Sequence, residues 1–149
     1  MQSILETQKQ NYLTWISIEQ NKVAKYEDNY ATLFRFKTVV LNSREDFEQI
    51  STNQLSILSS LEGIKESNMV ALRYTDVVNK IIIRKKTEII HPNYEALLAK
   101  ISTKLCGYLN SISYSESLIE SYKGKIREIE EQIEFLDSVA GEEVGKNDK

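Results

Sequence analysis

The sequence predicts an all-α fold, in the form of an elongated antiparallel helical bundle with a long C-terminal coiled-coil helix. Two observations predict it. The 149 residues include only five glycines and one proline, whereas sandwiches and barrels need many turns, which usually contain these residues. Over much of the chain, apolar residues recur at alternating intervals of three and four, which is the spacing of one helix face.

The first predicted helix covers about residues 3–41, and polar residues interrupt its apolar seam. Trp15, Phe34 and Phe36 lie beside this seam and widen the apolar face. Ser43 and Asp46 resemble a capping pair, so either a break at Asn42-Ser43 or an uninterrupted helix fits the sequence. The seam positions are Leu5, Lys9, Tyr12, Ile16, Glu19, Val23, Tyr26, Tyr30, Leu33, Lys37 and Val40.

Two shorter helices are predicted next, over about residues 44–65 and 69–90. Gly63 and the pair Ser67-Asn68 weaken helix formation and predict a turn between them. The stretch of residues 77–90 is rich in β-branched residues and could also form a strand. We favour the helix because no second strand-like segment is present to pair with it.

The fourth predicted helix covers about residues 94–140, beginning after His91-Pro92, where proline predicts a stop. Its seam keeps one register over more than six heptads, which chance rarely produces. Gly141 predicts the C-terminal end of the helix, and residues 141–149 are predicted to be a disordered tail after a single domain over residues 1–140. The seam positions are Tyr94, Leu98, Ile101, Leu105, Tyr108, Ile112, Ser115, Ile119, Tyr122, Ile126, Ile129, Ile133, Leu136 and Ala140.

This fourth seam predicts binding to a partner chain. The second and third helices are too short to cover it, and the first has polar residues in its own seam. A chain folded alone would therefore leave part of the stripe in water. The tyrosines at positions 108 and 122 fit a heteromeric partner, or a bundle of more than two helices, better than a parallel homodimer. The predicted partner-binding residues are Tyr108, Ile112, Ile119, Tyr122, Ile126, Ile129, Ile133 and Leu136.

One dense basic cluster is a second candidate surface. It consists of Lys80, Arg84, Lys85 and Lys86, which could contact nucleic acid or an anionic membrane. A solvated helix face is the favoured interpretation of the cluster, because the net charge of the chain is −3 and no aromatic residues accompany the cations. The same interpretation applies to the glutamates of residues 128–134, which fall outside the seam.

The sequence predicts no catalytic, metal-binding or cofactor-binding residue and no small-molecule substrate. His91 is expected to be a loop or cap residue, and Cys106 a small, partly buried side chain. Ser115 lies in a serine-rich patch and is either a tolerated polar seam residue, a hinge, or a contact controlled by phosphorylation. We therefore expect an intracellular, soluble, cytoplasmic or nuclear structural subunit that binds other helical subunits. The alternative is an adaptor that uses the basic cluster.

Overall fold

The structure, a computed structural model, describes residues 1–60 and 69–146, with the side chains of these residues except at 71, 72 and 142–146. The chain is helical from Gln2 to Ser60 and again from Met69 to Lys146. Throughout these ranges no strand is found. The all-α prediction is therefore confirmed, and residues 77–90 are helical. The predicted turn around Gly63 lies outside the described residues.

The first helix, α1, spans Gln2–Ser60 without interruption. The prediction of separate helices over residues 3–41 and 44–65 is therefore wrong where α1 passes Asn42-Ser43, and the alternative of an uninterrupted helix applies. Ser43 does not cap a helix, since its hydroxyl lies 2.8 Å from the hydroxyl of Tyr94 on the last helix. A tertiary partner for this polar side chain removes the competition with the backbone that favours a helix end at serine.

The second helix, α2, spans Met69–Arg84 and continues into a π-helical turn, Lys85–Ile90. The third helix, α3, begins at His91, so Pro92 lies within its first turn. The expectation that His91 leaves the helical region is wrong, because its φ is −57° and its ψ −50°. Its N–H donates to the carbonyl of Lys86, five residues earlier. This wider turn relieves the clash between a proline ring and the preceding helical turn.

Helix α3 ends at Lys146, beyond the end predicted at Gly141. A glycine ends a helix by adopting a positive φ, and no glycine of the described residues has one. Gly141 is therefore an ordinary helical residue. The structure differs here from the predicted disordered tail at residues 141–146, and residues 147–149 lie outside the described part.

The chain groups into two compact units, one of Met1–Tyr30 with Gly107–Lys149 and the other of Ala31–Cys106. In the first unit the amide of Gln2 donates to the carboxylate of Asp137 over 3.2 Å. Farther along α1, the rings of Tyr26 and Tyr108 are 6.4 Å apart. As the residue number rises along α1, that of its partner on α3 falls, so these two segments run antiparallel. The prediction of a single domain over residues 1–140 stays a prediction.

The second unit combines the end of α1, helix α2, the π-helical turn and the start of α3. Arg44 on α1 forms an ion pair with Glu95 on α3, at 2.7 Å. Its buried hydrophobic residues are Val40, Ile101 and Leu105, and its buried polar residues are Ser51 and Thr75. The second unit therefore buries hydroxyl groups beside its aliphatic side chains.

Candidate interaction surfaces

The seam of α3 is largely occupied by the chain itself. Ile119 and Ile126 form a buried cluster with Ile16 of α1, and each of the three is 8% exposed. Ile129 is also buried. The prediction that the lone chain leaves this stripe in water is therefore wrong for its central part.

The other predicted partner-binding residues of α3 are half-buried. They retain some accessible surface, although several contact α1. Tyr122 packs against the Ile16 cluster, and Leu136 lines an open groove together with Leu5 and Phe135. The structure thus places the predicted set on one face of α3, but it does not leave that face free. The half-buried residues are Tyr108, Ile112, Tyr122, Ile133 and Leu136.

A polar layer lies between the two helices, where each seam has a polar residue. Glu19 and Ser115 are both buried, 7% and 2% exposed. The carboxylate of Glu19 accepts hydrogen bonds from Lys22 Nζ, at 2.7 Å, and from the hydroxyl of Ser115. The Lys22 ammonium, and after it the Ser115 hydroxyl, lower the pKa of Glu19 below its ordinary value of 4.5. The polar positions of the two seams therefore complement each other.

A second polar position of the α1 seam is also matched. Lys9 Nζ lies 2.8 Å from a carboxylate oxygen of Glu130, and this contact raises the pKa of Lys9. Glu130 belongs to the acidic stretch that was predicted to be a solvated face, and it is half exposed. The pattern missed this ion pair because Glu130 is next to the seam position Ile129, from which it can reach across to α1.

An aromatic cluster forms the edge of the first unit. Trp15 packs edge-on against Tyr12, with ring centroids 5.1 Å apart and an interplanar angle of 88°. It also packs against Tyr122, at 5.6 Å. Trp15 nevertheless remains 45% exposed. The sequence placed Trp15 beside the seam but not among the partner-binding residues, although a tryptophan beside a seam was the available signal.

The basic cluster is largely paired with acidic side chains. Lys80 contacts Asp76 at 2.9 Å, Arg84 contacts Glu88 at 2.7 Å, and Lys86 contacts a carboxylate on α1 at 2.6 Å. Lys85 is exposed and forms no ion pair with the described residues. Three of the four cations thus have a carboxylate partner already, which reduces the positive potential that an anionic ligand would meet.

The carboxylate that binds Lys86 is Glu48, and it also contacts the ring of His91. The Lys86 ammonium is the main cause of the lowered pKa of Glu48, and His91 contributes to it. His91 is therefore a helical residue that joins α3 to α1. Of the loop or cap position expected, it occupies the cap position at the end of the π-helical turn. Cys106, expected to be partly buried, is exposed.

Comparisons with known proteins found no match for this chain. No protein-family model matches the chain, and no curated protein or solved structure is similar enough to match it. Within residues 1–60 and 69–146, no group of three histidine, cysteine, aspartate or glutamate residues could hold a metal ion. None of the helices described there is both long and apolar enough to cross a membrane.

Proposed function

We propose that this chain is a structural, non-catalytic subunit that binds other helical protein chains in an intracellular complex. In this proposal α1 and α3 pack as an antiparallel coiled coil within the first unit. Partner helices then add to the outer surface of that pair, as in a bundle of more than two helices. The half-buried residues of the α3 seam, Tyr122 among them, contribute part of the contact.

The observation that carries the proposal is the exposed aromatic surface around Trp15. A tryptophan that packs against Tyr12 and Tyr122 and is still 45% exposed presents a large apolar surface to a partner. Such residues dominate the binding energy of many protein interfaces. Ile18, one turn farther along α1, is 47% exposed and extends the same apolar surface. A helix packed there would bury both side chains.

The adaptor alternative has weaker support. It needs cations that are available to phosphate groups, but Lys80, Arg84 and Lys86 each contact a carboxylate. Releasing these pairs would offset part of the gain from a new anionic ligand. We therefore keep protein binding as the proposed function and treat lipid or nucleic-acid binding as an outcome for experiment to detect.

Tagged full-length protein, purified from the cells in which the chain is native, tests the proposal. We expect a helical partner to co-purify in a fixed ratio with the wild-type chain. Trp15→Asp should abolish this association while leaving helicity by circular dichroism unchanged, since Trp15 is half exposed. Arg35→Asp changes an exposed residue on the same helix and serves as the control.

Two results would contradict the proposal. One is a wild-type chain that purifies alone, without a partner in a fixed ratio. The other is a partner that Trp15→Asp and Arg35→Asp retain equally, since that result would remove the aromatic cluster from the interface.

A further inference from the structure

Helix α2 turns its apolar side to solvent. Val70, Tyr74, Val77 and Ile81 follow each other at intervals of four, three and four residues and so share one face. Their exposed fractions are 76%, 70%, 54% and 48%. Thr75, on the other side of the helix, is only 3% exposed.

The buried side of α2 is also partly polar. Asn79 lies one turn after Thr75, and its side-chain oxygen is buried without a hydrogen-bond partner in the described part of the chain. An amphipathic helix normally buries its apolar side. The inner side of this helix carries Thr75 and Asn79 beside the half-buried Val78 and Ile82. Four large apolar side chains are nevertheless exposed on the outer side, as is common for an interaction surface.

The charges beside this face indicate what it binds. In a heptad with Tyr74 and Ile81 at position a and Val70 and Val77 at position d, Arg73 and Lys80 occupy position g. Both are exposed. Positions e and g of a coiled coil face the flanking residues of the partner helix and determine which partner is accepted.

A second copy of this chain is a poor occupant of the face. In an antiparallel pair the two sets of position g would face each other, which places like charges together. In a parallel pair Arg73 would face position e of the other copy, which is Val78 and offers it no carboxylate.

We propose that the outer face of α2, formed by Val70, Tyr74, Val77 and Ile81, docks an amphipathic helix of a partner chain with acidic residues flanking its apolar seam. The inference rests on the proposed function, because it names the chemistry of one partner of a structural subunit. Lys80 already contacts Asp76 at 2.9 Å, which reduces its attraction for a partner carboxylate as it does for any other anion. The four apolar side chains therefore contribute most of the binding, and the flanking cations bias the choice of partner.

Two synthetic helical peptides test the proposal against the full-length chain. Both have leucine at positions a and d over about three heptads; one has glutamate and the other lysine at positions e and g. By fluorescence anisotropy at low salt, we expect the glutamate peptide to bind about fivefold or more tightly than the lysine peptide. The double variant Arg73→Glu, Lys80→Glu should reverse this preference.

A matched pair of variants locates the binding site. Val77→Asp should weaken binding of the glutamate peptide about fivefold or more, because it places a charge in the seam. Ile83→Asp makes the same chemical change on α2 at an exposed side chain outside this face, 51% exposed. Ile83→Asp should bind the peptide like wild type, and circular dichroism verifies that both variants are folded.

Three results would overturn the inference: equal binding of the two peptides, equal loss in Val77→Asp and Ile83→Asp, or flotation of the chain with vesicles containing phosphatidylserine while neither peptide binds. Each can occur while the native partner still co-purifies with the wild-type chain and is lost with Trp15→Asp. In that case the inference about α2 fails and the proposed function stands. Conversely, if no native partner co-purified while the chain still preferred the glutamate peptide, the proposed function would fail and the inference about α2 would stand.

Discussion

At the scale of single residues, the Glu19–Ser115 contact favours the observed alignment of α1 and α3. A shift of one heptad along α3 would place the bulky ring of Tyr108 or Tyr122 where Ser115 now lies. Such a shift would leave the Glu19 carboxylate without the Ser115 hydroxyl as a donor. A polar residue in a coiled-coil seam specifies register at some cost in stability. The buried serine thus has a structural role that the heptad pattern alone did not assign.

Substitutions at Ser115 test this role. Ser115→Ala removes one hydroxyl donor to a charged acceptor and should lower the free energy of unfolding by about 1 kcal/mol. Ser115→Asp places a second carboxylate against Glu19 in a buried position, so it should be clearly more destabilising than alanine. Urea unfolding followed by circular dichroism measures both changes.

A neighbouring serine provides the control. Ser113 belongs to the same serine-rich patch but is exposed, so Ser113→Asp should change stability by less than about 0.5 kcal/mol. Equal effects at positions 113 and 115 would show that the buried contact does not contribute to alignment.

The pKa of Glu19 gives a dependence on pH. Its pKa in the folded chain is below 4.5, mainly because of Lys22 and then Ser115. As the pH falls, Glu19 therefore binds a proton at a higher pH in the unfolded chain than in the folded chain. This contribution to stability is present above pH 4.5 and is lost as pH falls through the folded pKa.

Glu19→Gln separates this contribution from that of other acids, since Glu48 and Glu120 also have lowered pKa values. Between pH 6 and pH 3, we expect the melting temperature of the wild-type chain to fall more than that of Glu19→Gln. Thermal melts at each pH provide the measurement. Parallel curves for the two proteins would mean that the Glu19 contacts contribute nothing to folding.

At the scale of the helices, the sequence predicted the periodic segments well and their ends poorly. The seam register of α3 could be predicted because it depends only on the spacing of apolar residues along the chain. In the structure, the seam residues Ile16, Ile119 and Ile126 form one buried cluster. The end expected at His91-Pro92 did not occur, because a π-helical turn accommodates the proline. The possible break at Ser43 is absent, because its hydroxyl meets that of Tyr94. Both outcomes depend on contacts distant in sequence, which a local pattern does not contain.

The candidate surfaces were predictable to a different extent. The apolar face of α2 was visible as a spacing of four, three and four residues, but its exposure was not, because periodicity does not say which side of a helix faces the core. The seam of α3 was identified correctly as a packing surface. Its occupant was not, because the polar residues Lys9 and Glu19 in the α1 seam suggested a mismatch. They are matched by Glu130 and Ser115.

Two glycines inside α3 weaken this helix without serving its packing. A Cβ atom built on Gly107 or Gly124 would have no heavy atom within 4 Å, and neither glycine has a positive φ. Gly107→Ala and Gly124→Ala should therefore each raise the free energy of unfolding by about 0.5–1 kcal/mol, because alanine loses less backbone entropy in a helix. Urea unfolding measures this change. The dependence of the free energy of unfolding on urea concentration should stay the same as in the wild-type chain.

The reverse substitution at an exposed alanine of α3 is the control. Ala99→Gly should lower the free energy of unfolding by about 1 kcal/mol for the same reason. A loss of stability on Gly107→Ala or Gly124→Ala would show that one of these positions packs against something that the folded chain alone does not provide.

At the scale of the whole molecule, two kinds of apolar surface have different consequences. The surface formed by Ile16, Ile119 and Ile126 is buried within one chain and stabilises its fold. The surfaces around Trp15 and on α2 are exposed, and under the proposed function they would contribute to association. Folding and partner binding would then depend largely on different side chains.

The stability of the purified chain should therefore not depend on its concentration. Because Ile119, Ile126 and Ile129 are buried within this one chain, we expect folding to require no second chain. We expect the melting temperature to be constant over a hundredfold dilution, whereas folding coupled to association would lower it. Ile126→Ala should cost about 2–5 kcal/mol by leaving a cavity, again at every concentration. A melting temperature that falls on dilution, in either protein, would mean that the seam is covered by another chain in solution, and the intramolecular pairing of α1 with α3 would have to be abandoned.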